Sequence, residues 1–271
     1  MLHEIVNLKE IYNLEGDPKL EVMIPSTSDS EFRKKSRGIL ICPGGAYVFV
    51  SHREGDAVAI EYMREDYCTF VLTYSTNKAF PIPMHELACA IDYIRNNADK
   101  YYLNKDEIAI VGFSAGGHLV SSYGYLYKHP LFIEKTRMNP ENIKPNAIIS
   151  SYPVISMGEY THFESRDKIT GKNVELYDLL SVEKNIDETY PPTFLWTTKE
   201  DTCVPYENTI LFDKALKSNN VKHKTIIFKH LDHGKSTGSK IVNDIDKKNK
   251  KHYKKLSSWV SKSIKFMDEI F

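Results

Sequence analysis

Along this chain, short unbroken apolar runs alternate with stretches whose apolar residues recur every three or four positions. The runs at 20–25, 37–42, 67–74, 146–151, 193–198 and 222–228 read as strands. Another ends at Ile108-Ala109-Ile110-Val111, entered from a turn at Asn104 or Asp106. Between them the helical spacing predicts helices over 53–64, 84–98, 115–128, 205–219 and 253–271. The last carries Leu256, Trp259, Val260, Ile264 and Met267 on one face. Residues 1–19 read as a polar lead-in and 26–35 as a turn rich in serine and charge. Continuous rather than alternating apolar strands imply a sheet covered on both faces. The expectation is therefore an α/β fold, a mostly parallel sheet with helices on both sides joined by right-handed crossovers. No internal repeat or linker divides 1–271, so one domain is expected. Only 153–190 lacks the strand–helix rhythm, and it reads as a small cap-like insertion over the strand ends.

Composition narrows the function classes. Hydrophobic residues make up 41% of 271, enough for a sizeable core, and Lys+Arg equals Asp+Glu at 36 each. A net charge of zero argues against nucleic acid or an anionic membrane as the main partner, and the lysines of 247–255 read as a solvated loop. No apolar run approaches a membrane span. The N-terminal residues have no basic and apolar leader pattern, so a cytoplasmic location is expected. Cys42, Cys68, Cys89 and Cys203 are scattered without a C-x-x-C pair, and they read as buried free thiols rather than a disulfide framework or a metal site. No metal or cofactor is expected.

The most informative stretch is Gly112-Phe113-Ser114-Ala115-Gly116, where a strand runs into a helix. G-x-S-x-G in that context is a nucleophile elbow, a strained turn that lifts the serine hydroxyl above the sheet and aims a helix N-terminus at the same place. A serine hydroxyl needs a base to take its proton, and the base needs a carboxylate to set its tautomer. Asp201 follows the 193–198 strand, with Glu200 as its neighbour and rival. His233 follows the last strand, with Gly234 behind it. His230 continues that strand, His118 lies one turn into the post-elbow helix as a structural residue, and His52 and His162 sit in loops where they read first as exposed polar residues and second as a border of the pocket. A tetrahedral intermediate needs preorganised donors: the Ala115 N–H is one, and the Pro43-Gly44-Gly45-Ala46-Tyr47 loop supplies the other. Tyr47 and His162 are the expected substrate contacts.

Several of these segments together resemble the α/β-hydrolase superfamily. They are CPGGAY, SHREGD, FPIPMHELACAIDYIR, GFSAGGHL, SYPVISM, PPTFLWTTKEDTCVP and HLDHG. Within the superfamily the chain is similar to small bacterial esterases of the acetylxylan-esterase and hormone-sensitive-lipase-like branch. The resemblance covers most of the chain from Gly38 onward. It implies Ser114 as nucleophile, Asp201 as orienting acid and His233 as general base, with oxyanion donors at Ala115 and at Gly45 or Ala46. Two departures are visible. Pro43 stands where many relatives carry His and Ala46 where a third glycine is common, and Lys235-Ser236 replaces a frequent aromatic after the histidine.

The implied activity is a serine carboxylesterase acting on a small-molecule ester with a short acyl group, such as acetyl on a sugar or xylo-oligosaccharide. Alternatives are a peptidase of the prolyl-oligopeptidase type and a catalytically inactive member that binds a ligand. A homo-oligomer is compatible with the sequence but not dictated by it.

Overall fold

The computed structural model describes residues 1–25 and 34–271, so the turn expected at 26–35 lies almost wholly outside the described residues. Eight strands form one sheet in the order β1-β2-β4-β3-β5-β6-β7-β8. They are β1 Leu2–Asn7, β2 Lys19–Ile24, β3 Ser36–Cys42, β4 Cys68–Thr73, β5 Leu103–Phe113, β6 Ala147–Ser151, β7 Thr193–Thr198 and β8 His223–Phe228. From β4 across to β8 every neighbour is parallel, while β1/β2 and β2/β4 are antiparallel. The sheet is thus mostly parallel, as expected, and only the polar lead-in is corrected, since it contributes the edge strand β1. Leu2 pairs with Ile24 and Asn7 with Lys19, and Leu8–Tyr12 follows as a short helix α1. Strand β1 is largely exposed, so backbone pairing and not burial holds it to the edge.

The other helices are α2 Asp56–Met63, α3 Ile82–Asn96, α4 Ala115–Leu126, α5 Pro130–Thr136, α6 Pro140–Ile143, α7 Phe163–Thr170, α8 Leu176–Leu180, α9 Glu207–Ser218, α10 Lys250–Leu256 and α11 Ser258–Asp268. Three boundaries differ from expectation. The helix expected from Arg53 starts at Asp56, because His52–Glu54 forms a 3-10 turn that sends Glu54 inward. Strand β5 begins at Leu103, its polar first half bridged to β3 through a register shift between Ser36 and Gly38. The terminal helix is two helices that meet at Ser257.

Burial explains why the sheet is flanked on both sides. Ile148 faces a cluster that includes residues of α3, α4 and α9, and its neighbour Ile149 faces another that includes residues of α2, α10 and α11. Alternate side chains of one strand thus fill two cores, as a doubly covered parallel sheet requires. Segment 153–190 contains α7, α8 and a 3-10 turn, Val182–Lys184. It is tied down by the Phe80 N–H to the Ile169 carbonyl (2.8 Å) and the Tyr125 hydroxyl to the Leu179 carbonyl (2.7 Å).

Candidate active site

The C-terminal ends of β3, β5, β6, β7 and β8 converge on the turn between β5 and α4. Ser114 sits there at φ +53 and ψ −117, a conformation costing on the order of 1–3 kcal/mol that the surroundings must hold in place. Its N–H donates to the Ser151 carbonyl at 3.0 Å, which ties the turn to the end of β6. The flanking glycines answer a packing need. A Cβ on Gly112 would lie 2.1 Å from the Gly116 carbonyl oxygen, and one on Gly116 would lie 2.1 Å from that of Cys42. Only a bare backbone lets α4 leave the strand at so sharp an angle.

Three side chains separated widely in sequence meet above this turn. Ser114 Oγ lies 2.9 Å from His233 Nε2, and His233 Nδ1 lies 2.7 Å from Asp201 Oδ2. Because the carboxylate accepts, Nδ1 carries the proton and Nε2 is left to accept from the serine hydroxyl. The Asp201 side chain is fully buried, and its other oxygen accepts the N–H groups of Cys203 (3.0 Å) and Val204 (2.8 Å). Its rivals pair with each other outside this set, Glu200 Oε1 lying 2.9 Å from His230 Nδ1. The loop carrying His233 is held by Asp232, whose Oδ1 accepts from the Thr202 N–H, the Thr202 hydroxyl and the His233 N–H.

The loop after β3 faces the same place. Gly45 (φ +129), Ala46 (φ +55) and Tyr47 (φ +61) all have left-handed φ values, and the Gly45 carbonyl collects the Val48 and Phe49 N–H groups at 2.8 and 3.1 Å. A Cβ on Gly45 would meet the Phe49 carbonyl at 2.0 Å, so glycine is obligatory there. Among the described residues, the N–H groups of Gly45, Ala46 and Ala115 donate to no protein acceptor. The Gly44 N–H is already taken by Glu54 Oε2 at 2.8 Å, and the site for a Gly44 Cβ lies only 2.9 Å from Ser114 Cβ. The loop therefore presses against the serine while leaving two amides undonated.

Of the two expected substrate contacts, Tyr47 is corrected. Its side chain is completely buried and its hydroxyl bonds His118 Nδ1 at 2.8 Å, so it braces the loop from behind. His162 caps α7 through Ser165 and is half-buried. Burial first, and neighbouring His233 second, push its imidazole below the usual range. His118 is structural as expected, fully buried between Tyr47 and the Leu180 carbonyl. His52 is exposed in its 3-10 turn. The four cysteines are free thiols, but Cys203 is exposed, contrary to expectation, because it sits in the turn that wraps Asp201. Among the described residues no cluster of three or more His, Cys, Asp or Glu side chains could hold a metal, and no helix is long and apolar enough to cross a membrane.

Sequence reasoning missed Glu54 and Tyr152. Both lie in segments that carried the family resemblance, SHREGD and SYPVISM, but their partnership spans 98 residues and no local pattern announces it.

Comparison with known proteins places this geometry in a lineage. The sequence profile of the BD-FAE family matches residues 20–216, well over half of the chain. The chain belongs to the BD-FAE family. Among curated proteins it is 35% identical over 207 residues to endo-1,4-beta-xylanase B of Butyrivibrio fibrisolvens, covering 72% of this chain and 32% of that protein. It is 27% identical over 212 residues to an acetylxylan esterase of Xylanibacter ruminicola, covering 75% of this chain and 42% of that protein. The BD-FAE chain thus spans about a third to two-fifths of the length of these relatives. Among solved structures, an acetyl ester-xyloside bifunctional hydrolase from Caldicellulosiruptor lactoaceticus superposes with a TM-score of 0.79 at 29% identity, covering 97% of each chain. A carboxylesterase from Lactobacillus plantarum WCFS1 shares the fold, with a TM-score of 0.88 at 24% identity over 99% of this chain and 98% of that one. The architecture of this BD-FAE member is the α/β-hydrolase fold.

Proposed function

We propose that the chain is a carboxylic ester hydrolase that works through an acyl-enzyme on Ser114. The observation that carries the reading is the relay Ser114 Oγ–His233 Nε2 at 2.9 Å and His233 Nδ1–Asp201 Oδ2 at 2.7 Å, standing beside undonated amides. Ser114 attacks the ester carbonyl as its proton passes to His233. Asp201 holds the imidazole in the tautomer that can accept it. The carbonyl oxygen, now negative, takes hydrogen bonds from Ala115 and from Gly45 or Ala46, each donor lowering the barrier by about 3 kcal/mol. Collapse expels the alcohol with the proton from His233. Water, deprotonated by the same histidine, then attacks the acyl group and frees Ser114.

The substrate class is proposed as short acyl esters of sugars, acetylated xylo-oligosaccharides above all. The names of the relatives support this, an acetylxylan esterase and an acetyl ester-xyloside hydrolase among them. Segment 153–190 acts in this reading as a cap that borders the acyl pocket with His162. Assay of p-nitrophenyl esters of graded chain length beside acetylated xylo-oligosaccharides tests it. Acetate is expected to be the fastest acyl group and the sugar acetates to be released. Faster turnover of octanoate than acetate would refute the short-acyl assignment, and cleavage of aminoacyl p-nitroanilides alone would make the protein a peptidase.

A further inference from the structure

The buried carboxylate of Glu54 has no part in the reaction just described, yet it touches both halves of the apparatus. Glu54 is 3% exposed and sits one turn after the loop that carries Gly45 and Ala46. Its Oε2 accepts the Gly44 N–H at 2.8 Å, and its Oε1 accepts the Tyr152 hydroxyl at 2.5 Å. An acid so deeply buried is costly to keep unless both oxygens are bonded, and here both are.

Tyr152 in turn reaches the histidine side. It directly follows Ser151, whose carbonyl holds the Ser114 N–H. Its ring packs edge-on against the His233 imidazole, centroids 4.9 Å apart. Its hydroxyl accepts the Ser236 N–H at 3.1 Å, and the Ser236 hydroxyl returns a bond to the Arg53 carbonyl at 2.6 Å. Beneath lie Trp196 and Phe113, centroids 4.9 and 5.7 Å from that of Tyr152, and Trp259 donates its indole N–H to the Ser236 carbonyl. The tyrosine backbone is itself held at φ +36, an orientation a non-glycine residue keeps only under constraint.

We infer that Glu54 and Tyr152 are a pair of positioning residues that lock the oxyanion loop and the His233 loop into one register. The inference rests on the ester-hydrolase reading of the site and deepens it. By occupying the Gly44 N–H, Glu54 both removes that amide as an oxyanion donor and turns the loop so that the next two amides stay undonated. Through Tyr152 the same carboxylate sets the distance of the His233 ring from Ser114. A displacement of about 1 Å between donors and base costs up to roughly 100-fold in rate while leaving ester binding almost unchanged.

The test compares wild type, Ser114→Ala, Glu54→Gln, Tyr152→Phe and the Glu54→Gln/Tyr152→Phe double variant, with p-nitrophenyl acetate as substrate. Phenylboronic acid, a mimic of the tetrahedral intermediate, is the second probe. Thermal unfolding of each variant reports whether it is folded. Each single variant is expected to lose about 10- to 100-fold in kcat with KM within about threefold, and to lose boronate affinity in proportion. The double variant is expected to be no more than about threefold worse than the weaker single, the signature of residues acting as one unit. Folded single variants with kcat within twofold of wild type would overturn the inference. So would losses that multiply in the double variant, or a KM rise with kcat unchanged. If Glu54→Gln does not fold, Tyr152→Phe decides alone, since it removes one hydroxyl and keeps the ring. A wild type no faster than Ser114→Ala would instead refute the ester-hydrolase reading, and the positioning role with it.

Discussion

The Tyr47 hydroxyl and His118 Nδ1 meet at 2.8 Å inside the protein, joining the loop after β3 to helix α4, which begins at the Ser114 turn. His118 Nε2 lies 2.8 Å from the Leu180 carbonyl, which can only accept, so the ring carries its proton on Nε2 and Nδ1 accepts from Tyr47. One neutral imidazole therefore fastens the loop after β3, helix α4 and segment 153–190 to one another.

That arrangement makes stability sensitive to acid. Burial pushes His118 down to about 4, from an ordinary 6.5. The unfolded chain binds a proton there below about 6.5 and the folded chain does not until about 4, so stability is lost as pH falls through this window. A His118→Gln protein, measured by urea unfolding from pH 8 to 4, is expected to be less stable than wild type at pH 8. Its deficit should shrink towards pH 4, and a deficit constant across the range would show that folding does not lower the His118 pKa.

Glu86 makes the opposite demand. It is 1% exposed, its Oε2 accepts the Ser75 N–H at 2.7 Å, and its buried Oε1 has no hydrogen-bond partner among the described residues. Burial raises it from 4.5 to about 7. The folded chain thus holds a proton that the unfolded chain has released, and stability falls as pH rises from about 4.5 to about 7. Glu86→Gln is expected to match wild type near pH 4 and to be more stable by roughly 1–3 kcal/mol at pH 8. Equal unfolding midpoints at pH 8 would contradict it.

Two acid–histidine pairs lie side by side, and only one should matter for turnover. Asp201–His233 is buried and bonded to Ser114, whereas Glu200–His230 is largely exposed. Asp201→Asn is expected to lower kcat by about 10³- to 10⁴-fold. Glu200→Gln should stay within about twofold of wild type, since exposed ion pairs contribute little. Steady-state kinetics of both variants decide the point, and equal losses would reverse the assignment.

Gly45→Ala probes the proposed oxyanion role of the loop after β3. At φ +129, with the Phe49 carbonyl only 2.0 Å from the new Cβ, the loop must shift and take its amides with it. A fall in kcat of about 100-fold or more is expected from steady-state assay, with the remaining fold intact by circular dichroism. Unchanged kcat would exclude Gly45 and Ala46 as donors.

The sheet centre and the Ser114, Asp201 and His233 set were legible in the sequence for one reason. Doubly buried strands leave unbroken apolar runs, and in β7 the run 193–198 matches the strand residue for residue. What lay just beyond each run could then be assigned to one end of the sheet. Strand β1 escaped notice because an exposed edge strand needs backbone pairing and no apolar pattern. The start of β5 was hidden by Asn104 to Glu107, whose polar side chains sit beside a bulge. The break at Ser257 carries no glycine or proline to mark it. Tyr47 looked like a substrate contact from its place in the loop, and only the fold reveals the buried histidine that claims its hydroxyl. Glu54 and Tyr152 were unreadable as a pair, since the residues between them span helices α2 to α6 and three strands.

The central claim, an acyl-enzyme on Ser114, is tested most directly by rapid acid quench of the protein with p-nitrophenyl acetate, followed by peptide mass mapping. The account predicts one acetyl group on the peptide containing Ser114, formed with the burst of p-nitrophenol and absent from Ser114→Ala. Turnover with no acetylated peptide, or acetylation at another residue while Ser114→Ala keeps full activity, would contradict it.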